Sequence, residues 1–404
     1  MNIFQGKRIV LGITGSIAAY KMISLASSLT KLGADVDTLL TESAEKLVTP
    51  LSFSAVTGRG AKTDRDLWQA QNHVLHIEMG EQNDAFLIAP ATATTIAKLA
   101  HGIADNLVTL SALASRTPIL VAPAMDGGMY SNPATQRNLE ILEERGIQIL
   151  GPAAGHLASG LTGQGRMLEP EELLGYLRKF LGRTGKLKGQ KLMVTAGGTR
   201  EDIDPVRMIT NRSSGKQGYA LAQAAVDLGA DVVLISTMNQ LPIPVGVDFI
   251  SVSSAQDMQE AVKENLGGVD ILVMAAAVAD YKPEVFSNEK IKKNNKKSIN
   301  LHLIRTPDIL KSIAEMRKKG QTDLKLVVGF AAESEDLIEN AQIKMQVKEL
   351  DLIVANDITR KDAGFEVDTN QVKLIWKNRK SKSYPQQTKY DVAELILNEI
   401  ADLL

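Results

Sequence analysis

Cysteine is absent from the 404 residues. That absence excludes disulfides, thiolate metal sites and a thiol nucleophile, and it suits a reducing cytoplasm. Net charge of either sign is also lacking, with a formal value of −1, so nothing pulls the whole molecule toward nucleic acid or anionic lipid. Any anion site must be local. No apolar run approaches the roughly 18 residues of a membrane span. The opening MNIFQGKRIVLGITGS reads as a strand entering a glycine turn, without the apolar stretch and small-residue cleavage site of a secretory signal. A soluble cytoplasmic protein is expected. What is present, 44% apolar and 23% charged residues, is ordinary for a soluble α/β protein, and the length suggests about two or three domains.

Runs of strand length alternate with helical spacing from the start. Residues 7–13, the segment ADVDTLL, 84–90 and 118–123 read as buried strands, each followed by small polar residues. This β-α-β order favours parallel pairing with right-handed crossovers, and ligands in such sheets sit beyond the carboxyl ends of the strands. A short amphipathic helix and a Gly- and Lys-rich piece at 170–190 mark a boundary, giving domains 1–185 and 186–404. The alternation then restarts, with strands at KLMVTA, DVVLIS, VDILVMAAAVAD (269–280), LHLIR, LKLVVGFAAE and DLIVAND, and with helices near 256–266, 307–318 and 335–349. QVKLIWKN and the segment up to Tyr384 read as a hairpin before a terminal helix at 388–403.

The turn Gly12-Ile-Thr-Gly15-Ser-Ile-Ala lacks the third glycine of the dinucleotide fingerprint, and no acid closes the second strand. NAD is disfavoured. One phosphate on the N–H groups of Gly15, Ser16 and Ile17, with the Ser16 hydroxyl, competes with a plain tight turn. A second anion cradle is expected in 191–229. Ordinary strand-to-helix connections take about 2–6 residues, whereas more than a dozen separate Gly197-Gly198 from the helix that Ser214-Gly215-Lys216 opens. Arg212 and Lys216 add positive charge there.

GITGSIAAYK, His76-Ile-Glu78, APATATTIAKLAHGIADNL, PAMDGGMY and SGLTGQGRM resemble the flavin-dependent cysteine decarboxylases. TAGGTRE, ITNRSSGKQG, AAAVADYKP, KIKK, TPDIL, GFAAE and DLIVAND resemble phosphopantothenate–cysteine ligase. In this order they resemble the bifunctional coenzyme A biosynthesis enzymes of bacteria over nearly the whole chain. The resemblance implies an α/β protein of two Rossmann-like domains, a flavoprotein-type doubly wound parallel sheet followed by a ligase domain with a mixed sheet. It also implies a homo-oligomer, with trimeric contacts in the first half and dimeric ones in the second.

For the first half the resemblance implies FMN bound by Gly15, Ser16, Ile17, Thr41, Thr92, Ala93 and Thr94. The thiol of 4′-phosphopantothenoylcysteine would be oxidised to a thioaldehyde, carbon dioxide lost, and the ene-thiol reduced by the flavin. His76 matches the active-site histidine. Two positions depart from the family pattern. Asp126 stands where an asparagine commonly holds the substrate carboxylate, and a carboxylate there repels one. Ser159 stands where a cysteine donates a proton, and a hydroxyl is a far weaker acid.

For the second half the resemblance implies attack of the 4′-phosphopantothenate carboxylate on the α-phosphate of CTP. Pyrophosphate leaves, and the amine of L-cysteine then displaces CMP from the acyl-cytidylate. Asn211 matches the residue that handles that intermediate, beside the plainer reading of a helix cap. Lys290, in a run of five lysines over 290–297, matches a lysine that reaches CTP phosphates from a loop closing on substrate; such a run is otherwise a solvated loop, and without interleaved aromatics it does not suit nucleic acid. Asp280, read as ending an apolar strand, would contact the nucleotide and hold Mg²⁺ directly or through water. Pro307, read in the first turn of a helix, with Asp308, Ile309, Leu310, Phe330, Lys344 and Lys348 would complete the CTP site; 344 and 348 share a helix face. Metal ligands are not legible. Two other readings stay open: a ligase carrying an impaired flavin-binding module, motivated by Asp126 and Ser159, and a nicotinamide dehydrogenase, resting on architecture alone.

Overall fold

The computed structural model describes residues 2–68, 74–157, 160, 162–292, 298–333, 337–357, 367–377 and 379–404. The chain forms two compact units, Met1–Leu181 and Gly182–Leu404. In the first, β1 (Arg8–Ile13), β2 (Asp35–Leu40), β3 (Lys62–Thr63), β4 (Ala85–Ala91), β5 (Ile119–Pro123) and β6 (Gln148–Ile149) form one sheet in the spatial order 3-2-1-4-5-6. Every pairing in it is parallel.

The long apolar strings are explained by that architecture, because a parallel sheet covered on both faces buries successive side chains alternately up and down. Ile9 and Leu11 join one core with Leu25, Phe53 and Leu177. Val10 joins the other with Met79, Ile96 and Leu142. The strand order reverses between β1 and β4, so the crevice beyond their carboxyl ends is where a ligand is expected. A hairpin of β7 (Ala153–His156) and β8 (Thr162–Arg166) follows the sheet.

The second unit contains β9 (Lys191–Ala196), β10 (Arg200–Asp202), β11 (Met208–Thr210), β12 (Asp231–Ser236), β13 (Val247–Ser251), β14 (Ile271–Met274), β15 (Tyr281–Pro283), β16 (Leu303–Arg305), β17 (Leu326–Glu333), β18 (Leu352–Asp357), β19 (Thr369–Asn370), β20 (Val372–Trp376), β21 (Lys382–Ser383) and β22 (Gln387–Thr388). Its main sheet runs 13-12-9-14-17-18-20-21. The first six are parallel, and β20 and β21 add an antiparallel edge. The α/β class and the mixed second sheet agree with the sequence reading.

Two local expectations are corrected, the strand over 269–280 and the place of Pro307. The strand expected over 269–280 ends at Met274; after one bridge between Gly198 and Ala277, the chain reaches Asp280 exposed in a loop. A run of small residues is apolar enough to look like strand but packs as a close-fitting turn. LHLIR supplies the expected strand as β16, which pairs with β15 in a separate ribbon. Pro307 precedes the helix Ile309–Lys318, whose N-cap is Asp308. The long connection after β9 also folds part of itself into the β10–β11 ribbon, whose three-residue strands are too short to show a period of two. Among the described residues no helix is long and apolar enough to cross a membrane.

Candidate functional sites

In the first unit the ends of β1, β2 and β4 each turn into a helix through a hydroxyl cap. Ser16 accepts from the N–H of Ala18, Thr41 from that of Ala44, and Thr92 from that of Thr95. Each cap satisfies one N–H of the first turn and leaves its neighbours for a ligand. Gly15 is needed for packing, since a Cβ there would collide with Ser43. Thr14 was not singled out in the sequence, yet it ties two of these turns together: its buried hydroxyl donates to Pro90 O at 2.6 Å and accepts from Thr92 N at 3.1 Å.

A cavity of about 520 Å³ opens beside these turns, lined by Ser16, Ile17, Tyr20, Met125, Asp126 and the β7–β8 hairpin among others. Its volume lies within the roughly 300–1,000 Å³ of small-molecule sites. Ile17 and Tyr20 are 60% and 61% exposed, an apolar rim that a ring system would cover. Its charges are compensated. Lys21 lies 2.8 Å from Glu169, which Arg166 also contacts, and Lys21 first, against burial and together with Arg166, holds the Glu169 carboxyl below its ordinary value.

Asp126 caps the short helix Gly127–Tyr130, its Oδ1 accepting from Gly128 N at 2.9 Å. An asparagine would make the same bond, so the departure at 126 changes charge and not the local fold. His76 is half-buried on the helix Leu75–Glu81, which Arg8 pins to β1 through Glu78 at 2.8 Å. Neither His76 nor Thr41, Thr92, Ala93 and Thr94 is among the lining residues of the cavity. Ser159 lies outside the described residues.

The second unit holds a larger cavity, of about 1040 Å³. It gathers Asn211, Asp280, Pro307, Asp308, Ile309, Leu310, Phe330, Lys344 and Lys348. Lys290 is exposed and is not among its lining residues. Gly215 caps the helix Lys216–Asp227 with φ 72°, a left-handed backbone that favours glycine. Asn211 is therefore not that helix's cap. Its Nδ2 instead donates to Val278 O at 3.1 Å and Ala277 O at 3.4 Å, fastening the ribbon to the alanine turn.

The two lysines at 344 and 348 share a face but not a partner. Lys344 Nζ donates to Phe330 O at 2.8 Å, and Lys348 lies 3.1 Å from Asp308. Asp308 Oδ1 also accepts from Lys311 N. Ile309 and Leu310 are core residues with 3% and 8% exposure, so what they offer the cavity is first-turn backbone N–H.

Residues 4–182 match the Flavoprotein family, and residues 187–404 match the C-terminal domain of the DNA/pantothenate metabolism flavoproteins. The chain is 42% identical over 402 residues to the Coenzyme A biosynthesis bifunctional protein CoaBC of Bacillus subtilis (strain 168), covering 99% of this chain and 98% of that protein. With the protein of the same name from Escherichia coli (strain K12) it shares 41% over 397 residues, 98% and 97% of the two chains. The chain belongs to the family of coenzyme A biosynthesis bifunctional proteins. A crystal structure of the C-terminal domain of one CoaBC protein is 40% identical with a TM-score of 0.46, spanning 54% of this chain and 97% of that one. As a family member the chain is a bifunctional enzyme with a flavoprotein decarboxylase domain and a ligase domain.

The ligase-side cavity of this coenzyme A biosynthesis protein includes residues that sequence reasoning did not pick. Asn356, next to last in β18, is 7% exposed, and Lys389 opens the terminal helix with 6%. A lysine on a helix reads as solvated surface; only tertiary packing reveals it as buried. Burial first, then Lys216, push the Lys389 ammonium down to about 8, with Asp368 opposing. Lys216 lies 2.6 Å from Asp368, whose carboxyl it holds below the ordinary value.

Proposed function

We propose that the second unit condenses 4′-phosphopantothenate with L-cysteine at the expense of CTP, and that the first unit decarboxylates the product, 4′-phosphopantothenoylcysteine, with FMN. The observation that carries the ligase reading is the convergence of Asn211, Asp280, the 307–310 turn, Phe330, Lys344 and Lys348 on one cavity. Its volume, at the top of the single-ligand range of roughly 300–1,000 Å³, suits a nucleotide beside a second substrate.

In the first step a carboxylate oxygen bonds to the α-phosphorus and pyrophosphate leaves. Charge builds on the phosphoryl oxygens, and preplaced cations stabilise it without reorganising. Lys348 exchanges Asp308 for a phosphate oxygen, while Lys344 and the first-turn N–H groups of 309 and 310 hold the triphosphate. The exposed Asp280 would be the residue to hold Mg²⁺, which is usually bound by one or two carboxylates together with substrate phosphates and would neutralise phosphate charge. In the second step the cysteine nitrogen bonds to the acyl carbon, CMP leaves and the nitrogen loses a proton. The Asn211 N–H that makes the longer backbone contact donates to the acyl oxygen. Lys290 acts on the same phosphates from its loop.

The caps at 16, 41 and 92 and the apolar rim fit a flavin mononucleotide, with Gly15, Ser16, Ile17, Thr41, Thr92, Ala93 and Thr94 around it. When bound, the flavin takes electrons from the substrate thiol and returns them after decarboxylation. The 15–17 turn holds its phosphate, Ile17 and Tyr20 shield its ring from water, and His76 and Ser159 serve the substrate. Since His76 is not among the lining residues of the cavity in its own chain, the reading includes an oligomer, trimeric in the flavin half and dimeric in the ligase half, in which a neighbouring copy completes the site. Sedimentation tests that part.

Incubation with CTP and 4′-phosphopantothenate should release pyrophosphate, and added cysteine should release CMP. Anaerobic incubation with 4′-phosphopantothenoylcysteine should yield carbon dioxide and 4′-phosphopantetheine. Asp126 favours a second reading, a ligase carrying an impaired flavin module. Pyrophosphate without carbon dioxide would select it.

A further inference from the structure

The turn 203–207 at the tip of the β10–β11 ribbon contains a carboxylate that the proposed chemistry does not use. The Asp204 side chain is fully buried. Its Oδ1 accepts from the N–H groups of Val206 and Arg207, each at 2.8 Å. Its Oδ2 accepts from Ile291 N at 3.1 Å and from the Arg207 guanidinium at 3.2 Å. The same guanidinium nitrogen donates to Ile291 O at 3.2 Å. Ile291 is thus gripped at both its N–H and its C=O, and Ser287 N adds a bond to Ile203 O at 3.0 Å. Burial by itself would raise Asp204, but these backbone N–H groups and Arg207 outweigh it and hold the carboxyl below its ordinary value. The clamp is charged.

The residue before Ile291 is Lys290. A lysine ammonium swings on a flexible four-carbon stem, so its working position is set by where its backbone is held. On the other side of the turn, β11 runs from Met208 to Thr210 and delivers Asn211 to the cavity. One turn therefore fixes the stem of Lys290 and the arm of Asn211. We propose that Asp204 is a positioning residue for the ligase reaction, holding the peptide after Lys290 in fixed relation to the strand that carries Asn211. This rests on the reading that Lys290 acts on CTP phosphates.

Asp204→Asn is a selective probe. Its carbonyl oxygen still accepts from the backbone N–H groups of Val206 and Arg207, keeping the turn, while its amide meets both the Ile291 N–H and the Arg207 guanidinium donor to donor. Misplacing a catalytic group by about 1 Å can cost 10²-fold, so releasing one side of the clamp should lower kcat for pyrophosphate release about tenfold. KM for CTP should stay within about twofold, because the cavity lysines are untouched. In a Lys290→Ala background the same substitution should change kcat by less than about twofold, since two groups acting as a unit are not additive. Hydrogen exchange at Ile291 should quicken. Equal losses in both backgrounds, or normal kcat in Asp204→Asn when Lys290→Ala is impaired, would overturn the inference. Near-normal turnover of Lys290→Ala alone would instead remove the reading of Lys290. Should Asp204→Asn not fold, Ile291→Pro deletes the same donor from the loop side, with the same expectations and the same overturning results.

Discussion

Lys21 and Arg166 in the flavin-side cavity are both spent on Glu169, whereas the ligase-side cavity gathers seven basic side chains against the two acids Asp280 and Asp308. Both cavities belong to units whose main sheets are wholly or largely parallel, and both lie at helix N-termini. What separates them is fixed charge. A ring system with one phosphate can be held by backbone N–H groups and an apolar rim, with local charges cancelled. A triphosphate that gains charge density during reaction suits a cavity whose basic side chains outnumber its acids, even though Lys348 and Lys216 are paired with Asp308 and Asp368. Lys389, in the same cavity, is lowered first by burial and only then by Lys216.

The largest test of that contrast is Asn211→Ala. Removing one oxyanion donor costs about 10²–10³ in rate, so CMP release on adding cysteine should fall by that factor while CTP binding stays near normal. Near-normal CMP release would show that the neutral donor is not the group the cationic cavity depends on. Next comes a matched pair. Lys348→Ala should raise KM for CTP about tenfold, near 1.4 kcal/mol, and leave Asp308 repelling the nucleotide. Lys21→Ala should change flavin retention by less than about twofold, because the largely buried Lys21 ammonium is already compensated by Glu169 at 2.8 Å. Similar penalties on both sides would erase the distinction.

Much of this arrangement was legible in the sequence because it depends on runs and turns. Most strands of both main sheets showed as apolar strings, β3, β6 and β13 excepted, and the 307–310, 330 and 344/348 segments that the resemblance pointed to line one cavity. Where periodicity gave no signal, the reading failed. The alanine turn after Met274 looked like strand, since small apolar side chains satisfy a hydrophobicity pattern without pairing. The β10–β11 ribbon was too short to show. Thr14, Asn356 and Lys389 matter through tertiary burial, which no local pattern encodes. The clamp on Ile291 joins residues 87 apart, and only the folded chain brings them together.

A smaller test bears on the flavin side. Asp126→Asn keeps the cap to Gly128 N, as aspartate and asparagine cap almost equally well, and removes one negative charge from the cavity. KM for the carboxylate-bearing substrate should fall about fivefold, near 1 kcal/mol, the scale of one partly solvated charge pair. An unchanged KM would mean that the charge at 126 does not face the substrate carboxylate.

The last test concerns stability and not turnover, at the buried ammonium of Lys389. In the unfolded chain Lys389 titrates near the ordinary value of about 10.4, but in the folded protein burial, then Lys216, lower it to about 8. Below about 8 both states hold the proton, and folding bears the full cost of burying the charge. Between about 8 and 10.4 the unfolded chain binds more protons than the folded one, so stability rises with pH, by at most about 1.4 kcal/mol per unit. Lys389→Met keeps the length of the side chain without its charge, so this rise should disappear and the variant should be the more stable near neutral pH. Trp376 is buried in the ligase unit's core, and its fluorescence follows that unit through urea unfolding. The quantity to compare is the gap between wild type and variant at about pH 7 and about pH 10. A gap that narrows with pH means the buried ammonium is the source of the cost. A constant gap would mean that the loss comes from packing, and that the crowding of cations costs the fold nothing measurable.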